Sequence, residues 1–501
     1  MENLYKQYLQ RMEEMSAYNQ VLGLIGWDTR VGMPKKALAQ RGKQRSYMSS
    51  LVHRLAIDKT YGELLNKILH HPDYEKLDQV QKRNIYLSKK SFDRRTKVPE
   101  ELIKELSEVQ NEATAKWEIA RKNNDFESFK PYIKKLLELV KKQCNYIDPD
   151  KDPYDVALDF FEPNFNKEYY TKIFDELKVG LIKLIKKIEN APKKPNKDLI
   201  LREVPIEIQE KLSYDIIPII GYDLEAGKLD VSSHPFTIGY LNDVRITTRY
   251  TLNNFASNFF GVLHEGGHGI YEQNQPAEYI NTPVCSVPSL GWHESQSRFF
   301  ENTIGRSPEF WEFYLPRFKE ITGDTFKDVK FEDFLLALNR VEASKIRVEA
   351  DEVYYALHII LRFELERDLF NGTISVDELP SAWNKKMKEY FGIDIETDSE
   401  GVLQDIHWAQ GMFGYFPTYQ IGNLYGAQFL YLSLSKDIPD WRDKIKSGDV
   451  LSIKNWLVDN LHKKGNLYDP LDLIKEITSE DLSAKYFLQY LEEKYSKIYG
   501  F

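Results

Sequence analysis

Cysteine is nearly absent: Cys144 and Cys285 are the only two in 501 residues. A chain of this size cannot rest on a disulfide framework built from one pair, and a reducing cytoplasm is the simplest compartment for it. No apolar run approaches the roughly 20 residues that cross a bilayer. The opening Met1-Glu2-Asn3-Leu4-Tyr5-Lys6-Gln7 carries charge where a signal peptide needs an unbroken apolar stretch. A basic excess is missing too. With 68 Lys and Arg against 77 Asp and Glu, the net charge is −9, so no global field draws nucleic acid. The local run Lys193-Lys194-Pro195-Asn196-Lys197 reads as a solvated loop between helices. Internal repeats and low-complexity tracts are absent. What is there, 42% apolar and 29% charged residues, is the balance of a folded protein with a large core, not of a disordered one. Length alone allows about three domains. The expectation is one catalytic domain over 1–501, with 1–150 as a helical N-terminal lobe portion within it.

Periodicity points to helices almost throughout. Leu4, Leu9 and Met12, then Tyr18, Val21 and Leu22, recur at helical spacing. Segments 76–95 and 98–122 continue the pattern, and Val98-Pro99-Glu100-Glu101 has the form of a helix start. Another helix over 126–145 ends at Asp148-Pro149-Asp150. No strict heptad persists, so a packed lobe is expected in preference to a coiled coil. Segment 169–190 is helical. Between 234 and 250 the period changes: Val244, Ile246, Thr248 and Tyr250 alternate with Arg245, Thr247 and Arg249, a strand signal. Helices return over 252–275, 292–304, 308–320 and 332–369, and over most of the chain beyond 420. The fold class is mainly α, with one small β-sheet.

His264-Glu265-Gly266-Gly267-His268 carries the chemistry. Histidines four apart on a helix share a face, so both imidazoles reach one ion. Glu265 is rotated off that axis and can take a proton from water activated at the ion. The apolar face Phe255, Phe259, Phe260 and Leu263 buries such a motif. Gly266, Gly267 and Gly269 each weaken a helix by about 1 kcal/mol relative to alanine, which implies close approach of substrate or of a second helix. Catalytic zinc wants a third protein ligand. Glu272 and Glu294 compete for that role. Glu272 sits one turn beyond His268 with poor reach. Glu294 lies on a separate helix, after a reversal marked by Pro283 and Pro288, and can approach at an angle. Glu294 is therefore the expected third ligand.

Five further motifs make the pattern specific: His234-Pro235-Phe236, Asp243-Val244-Arg245-Ile246-Thr247, His293-Glu294-Ser295-Gln296, Ile346-Arg347-Val348-Glu349-Ala350-Asp351, and Gly401-Val402-Leu403-Gln404-Asp405-Ile406-His407-Trp408. With HEGGH, their identity and order closely resemble the carboxypeptidase Taq family of metallocarboxypeptidases. The likeness runs through the whole chain, Pro153-Tyr154-Asp155-Val156-Ala157-Leu158-Asp159 included. It implies release of single C-terminal residues from peptides with broad specificity. It implies a two-lobed, saddle-like helical fold with a deep cleft, related to neurolysin and angiotensin-converting enzyme. A homodimer using zinc, with cobalt as a possible substitute, is implied as well.

Within that resemblance, Arg347 is the leading residue for the substrate's terminal carboxylate, which a planar guanidinium grips with paired hydrogen bonds. Asp351, read as one turn later on the same helix, would orient it; Arg245 is an alternative anion binder or a partner of Asp243. His407 and Tyr415 are expected donors to the developing oxyanion, with Tyr419 a competitor for Tyr415 at the substrate. His234 either lines the cleft near the substrate or is a satisfied structural residue. Trp408, Phe413 and Phe416 read as core. Two rivals remain: an oligopeptidase cutting inside short peptides, and a helical peptide-binding protein with a purely structural zinc.

Overall fold

A computed structural model describes residues 1–501. Its helices are α1 (Glu2–Val31), α2 (Leu38–Ala56), α3 (Lys59–Leu69), α4 (Gln79–Lys97), α5 (Glu100–Asn123), α6 (Phe126–Ile147), α7 (Pro153–Asp159), α8 (Lys167–Glu189) and α9 (Ile206–Ile220) before the sheet. After it come α10 (Phe255–Gln273), α11 (Leu290–Arg298), α12 (Pro308–Thr322), α13 (Phe331–Leu338), α14 (Glu352–Asn371), α15 (Leu379–Phe391) and α16 (Pro417–Phe429). Further helices, the last spanning Lys485–Tyr499, close the chain. Caps set many of the starts. Asp58 accepts from the Thr60 and Tyr61 amides ahead of α3, and Asp78 and Gln81 form a reciprocal box on α4. No helix is long and apolar enough to cross a membrane.

The main core holds 109 buried residues from Val98 to Tyr499, and only a six-residue cluster stands apart from it, among α1, α3 and α4. In α1 the apolar spacing overstates the buried face: Tyr8 and Met12 are buried, whereas Leu9 and Val21 are exposed. The basic run at 193–197 lies in an exposed connection, as expected.

One expectation fails. The single helix read over 332–369 is two, α13 and α14, separated by an irregular stretch with one turn of 3-10 helix at Arg347–Glu349. Burial explains the break. The intervening chain carries Arg347 into the protein, where its amide donates to Gln404 Oε1 at 2.8 Å. Asp351 then starts α14 by accepting from the Val353 and Tyr354 amides.

The sheet comprises β1 (Gly227–Val231), β2 (Thr237–Tyr240) and β3 (Asp243–Thr248) in the order β1-β3-β2, with β1 parallel and β2 antiparallel to β3. Val244 and Ile246 are fully buried, as the alternation requires. Thr247, on the other parity, is buried as well, because its hydroxyl meets Ser232 Oγ and the Phe236 amide. Tyr250 falls beyond the strand.

The three helix-weakening glycines are explained by packing. A Cβ on Gly266 would lie 2.5 Å from Ile220 and one on Gly269 would lie 2.6 Å from Tyr222. On Gly267 it would lie 2.6 Å from the Gln296 carbonyl oxygen and 2.8 Å from Ser297 Cα, so here α10 crosses the backbone of α11 itself. Gly267→Ala should therefore destabilise the fold by about 2 kcal/mol through overpacking, against the gain of about 1 kcal/mol an open helix position would give. Denaturant midpoints decide; an unchanged or raised midpoint would mean the two helices part easily.

Candidate metal centre

α10 and α11 bring His264, His268 and Glu294 together, with one donor atom of each within 4.8 Å of the others. His264 Nε2 is 3.8 Å and His268 Nε2 is 3.5 Å from the same oxygen, Glu294 Oε2. A tetrahedral ion about 2.1 Å from each donor separates its donors by about 3.4 Å, so the spacing fits. Glu272, the rival third ligand, instead faces His293 at 3.0 Å, while the His293 ring stacks on His268.

The surroundings are built for a cation. Glu301 takes a hydrogen bond from His264 Nδ1 at 2.9 Å, which leaves Nε2 free for the centre. Arg298 donates through Nε to Glu294 Oε1 at 3.0 Å and lies 3.3 Å from Glu301, tying the α11 carboxylate to one in the π-helical turn that follows it, Phe299–Ile304. Burial disfavours charge on Glu294, but His264 and Arg298 outweigh it and hold the carboxyl well below the usual range. Burial likewise opposes charge on His264, yet Glu294 and Glu301 raise it to about 9. This pocket attracts positive charge even onto an imidazole. His268, buried and beside His293, is driven down to about 3, so its lone pair stays available. Donor identity, spacing and field all fit a divalent ion.

Glu265 faces the sheet. Its Oε2 accepts from Thr237 Oγ1 at 2.6 Å, and its carbonyl accepts from the same hydroxyl at 3.1 Å. Burial raises its carboxyl above the ordinary value, opposed by His264 and the Thr237 bond. Thr237 directly follows the His-Pro-Phe motif, whose strand thus positions the acid. His234 itself is exposed, and only its carbonyl is engaged, by Ser232 Oγ.

A second group of the expected residues gathers around Tyr355. Arg347 is buried, donating to Asp405 Oδ1 through Nε and Nη2 at 3.0 and 2.8 Å and to the Tyr355 hydroxyl at 3.0 Å. Asp351 does not orient Arg347; that expectation rested on a continuous helix. Its carboxylate caps α14 and accepts the Glu342 amide, and Asp405 has the orienting place, shared with Arg362. The Arg298 guanidinium lies over the Tyr355 ring, 4.3 Å from its centroid, so one tyrosine joins the Glu294 side to the Arg347 side. His407, Tyr415 and Tyr419 cluster here: the His407 ring is 5.2 Å from Tyr415, and its Nε2 is 3.4 Å from the Tyr419 hydroxyl. Burial takes His407 down to about 3, keeping it neutral. Burial, then the charge of Glu294, raises the Tyr415 phenol. Arg245 pairs with Asp243 and covers Trp27, away from this group.

Two buried carboxylates hold these parts in place. Glu162 accepts from Ser289 Oγ, the Gly291 amide and the Tyr425 hydroxyl at the start of α11. Glu366 accepts from Trp408 Nε1, the Gly414 amide and the Tyr154 hydroxyl, pinning the stretch from His407 to Tyr415.

Comparison with known proteins agrees. The family described as Carboxypeptidase Taq (M32) metallopeptidase matches residues 7–495. The chain is 39% identical to thermostable carboxypeptidase 1 of Thermus thermophilus over 505 residues, covering 99% of each protein. It is 38% identical to carboxypeptidase 1 of Bacillus subtilis over 495 residues, covering 99% of this chain and 98% of that one. The crystal structure of an M32 carboxypeptidase from Deinococcus radiodurans superposes with a TM-score of 0.96 at 32% identity, covering all of both chains. The fold is thus the mainly helical one, with a small three-stranded sheet, of the M32 carboxypeptidases, and the chain belongs to the Carboxypeptidase Taq (M32) metallopeptidase family, a family of metal-dependent carboxypeptidases that hydrolyse peptides.

Proposed function

We propose that this protein is a zinc carboxypeptidase of broad specificity, one catalytic domain over 1–501, that releases single residues from peptide C-termini. The observation that carries the reading is the convergence of His264, His268 and Glu294 beside a buried carboxyl, Glu265, that is not one of them. Zinc held by the three, with cobalt as a substitute, supplies Lewis acidity that lowers the pKa of a water and polarises a carbonyl.

Glu265 removes the proton from the attacking water and returns it to the departing amine. Anchorage by Thr237 and a carboxyl raised by burial suit a group that must keep a proton between two steps. His407 and Tyr415 donate to the carbonyl oxygen as charge develops there; both are neutral donors held in one aromatic cluster. Arg347 binds the terminal carboxylate, with Tyr419 beside it. Its bonds to Asp405 and Tyr355 fix the guanidinium and leave Nη hydrogens for an incoming anion. His234 contacts the substrate from the end of the strand that carries Thr237. The two buried, unpaired cysteines fit a reducing cytoplasm. Exposed Leu9, Val21, Leu24 and Leu38 on α1 and α2 are apolar surface of the kind a second copy of the chain covers in a homodimer.

The test combines metal analysis with timed mass spectrometry of a peptide and its C-terminal amide. The expected result is one zinc per chain and a ladder of products, each shorter by one residue, from the free acid only. Equal cleavage of the amide would favour an oligopeptidase.

A further inference from the structure

A chamber of about 600 Å³ lies beside the stretch from His407 to Tyr415 and is lined by none of the residues given a catalytic part. Phe161 lines it, and the same ring meets Tyr415 edge-on at 5.1 Å. Gly411 and Phe413, from the stretch between His407 and Tyr415, line it too. Phe161 thus stands between the chamber and Tyr415, and the chain from His407 to Tyr415 borders the chamber through Gly411 and Phe413, so one side chain separates it from the proposed oxyanion donors.

Its floor is apolar, from residues such as Val98 and Leu106, but the wall supplied by α4 is cationic: Arg83, Lys90, Arg94 and Arg95 all reach it. Only two carboxylates answer them. Asp469 takes Arg83 at 2.8 Å, and Asp159 takes Arg94 and lies 3.6 Å from Lys90. Arg95 has nothing closer than the Ser91 hydroxyl, at 3.4 Å. Burial, then the neighbouring Arg94, pulls the Lys90 ammonium down to about 8, as expected where positive charge is crowded and incompletely matched. On a chain whose net charge is −9 this excess is a local feature, not background.

We propose that the chamber receives the peptide upstream of the scissile bond and selects acidic side chains there, through Lys90 and Arg95. This rests on the carboxypeptidase reading above. The test is a series of peptides with one fixed C-terminal dipeptide, in which a single Glu, Gln or Lys is moved through the upstream positions, scored as kcat/KM for terminal release. At one or two adjacent positions the Glu peptide should exceed its Lys counterpart about tenfold at low salt. The ratio should shrink at ~1 M salt, where charges are screened beyond about 3 Å. Arg95→Glu, a change at an exposed side chain that leaves folding intact, should cut the ratio severalfold, and adding Lys90→Gln should bring it to one or invert it. A ratio near one at every position, or one untouched by the double variant, overturns the proposal while leaving the carboxypeptidase reading standing. No terminal release from any peptide sinks both.

Discussion

Glu265→Gln should keep a full complement of metal while turnover of a peptide with a free C-terminus falls about 10³-fold or more. The amide can still accept the Thr237 hydroxyl through its oxygen, so the side chain stays in place and the three ligands are untouched. What disappears is the ability to take and return a proton, which alone is worth about 10²- to 10⁴-fold; here it is needed twice in each cycle, which puts the loss in the upper part of that range. Metal stoichiometry and single-turnover rates measured on the same preparation separate the outcomes. Near-normal turnover would remove Glu265 from the mechanism. Loss of metal together with turnover would make it a structural element of the centre.

Glu294→Ala should abolish stoichiometric metal, and Glu272→Ala should not. Removing one of three ligands is expected to exceed the 10- to 100-fold loss of affinity typical of changes in the surrounding hydrogen-bonded shell. A second effect accompanies it. Arg298 is partly buried and donates to Glu294, so truncation strips a charge of its closer partner. With Glu301 still 3.3 Å away, the destabilisation should sit at the lower end of about 3–5 kcal/mol. Isothermal titration with zinc and a urea melt read the two effects separately. If Glu272→Ala lost the metal instead, the ligand assignment would pass to that residue. The Glu272 carboxylate, however, faces His293.

The convergence of His264, His268 and Glu294 was legible because its signal is local. A spacing of four on a helix states which side chains share a face, and a second helix bearing Glu294 follows from the reversal between two prolines. Arg298 and Glu301 could have been found by the same logic, four and seven positions after Glu294, but a helical period does not say which of several aligned charges turns inward. Thr237, Asp405, Glu162 and Glu366 were not legible. Each acts on a partner distant in sequence, 28 positions from Thr237 to Glu265 and 58 from Arg347 to Asp405, and periodicity carries no information on such pairings. The misreading of Asp351 has a related origin. Residues 339–351 have unremarkable helical composition, and only the burial of Arg347, a tertiary demand, interrupts the helix.

The crowding around Gly266, Gly267 and Gly269 has a bearing on how the centre comes into being. A nineteen-residue segment carrying so many glycines would be mostly coil if excised, since short helices are marginal in water even with good formers. Ile220, Tyr222 and the backbone at Ser297 must therefore arrive before the two imidazoles hold a common orientation. At the proposed metal centre, ions offered to a chain early in its refolding would meet scattered single donors, and a chelate would exist only once distant stretches had docked; assembly of that centre and tertiary collapse would be one event.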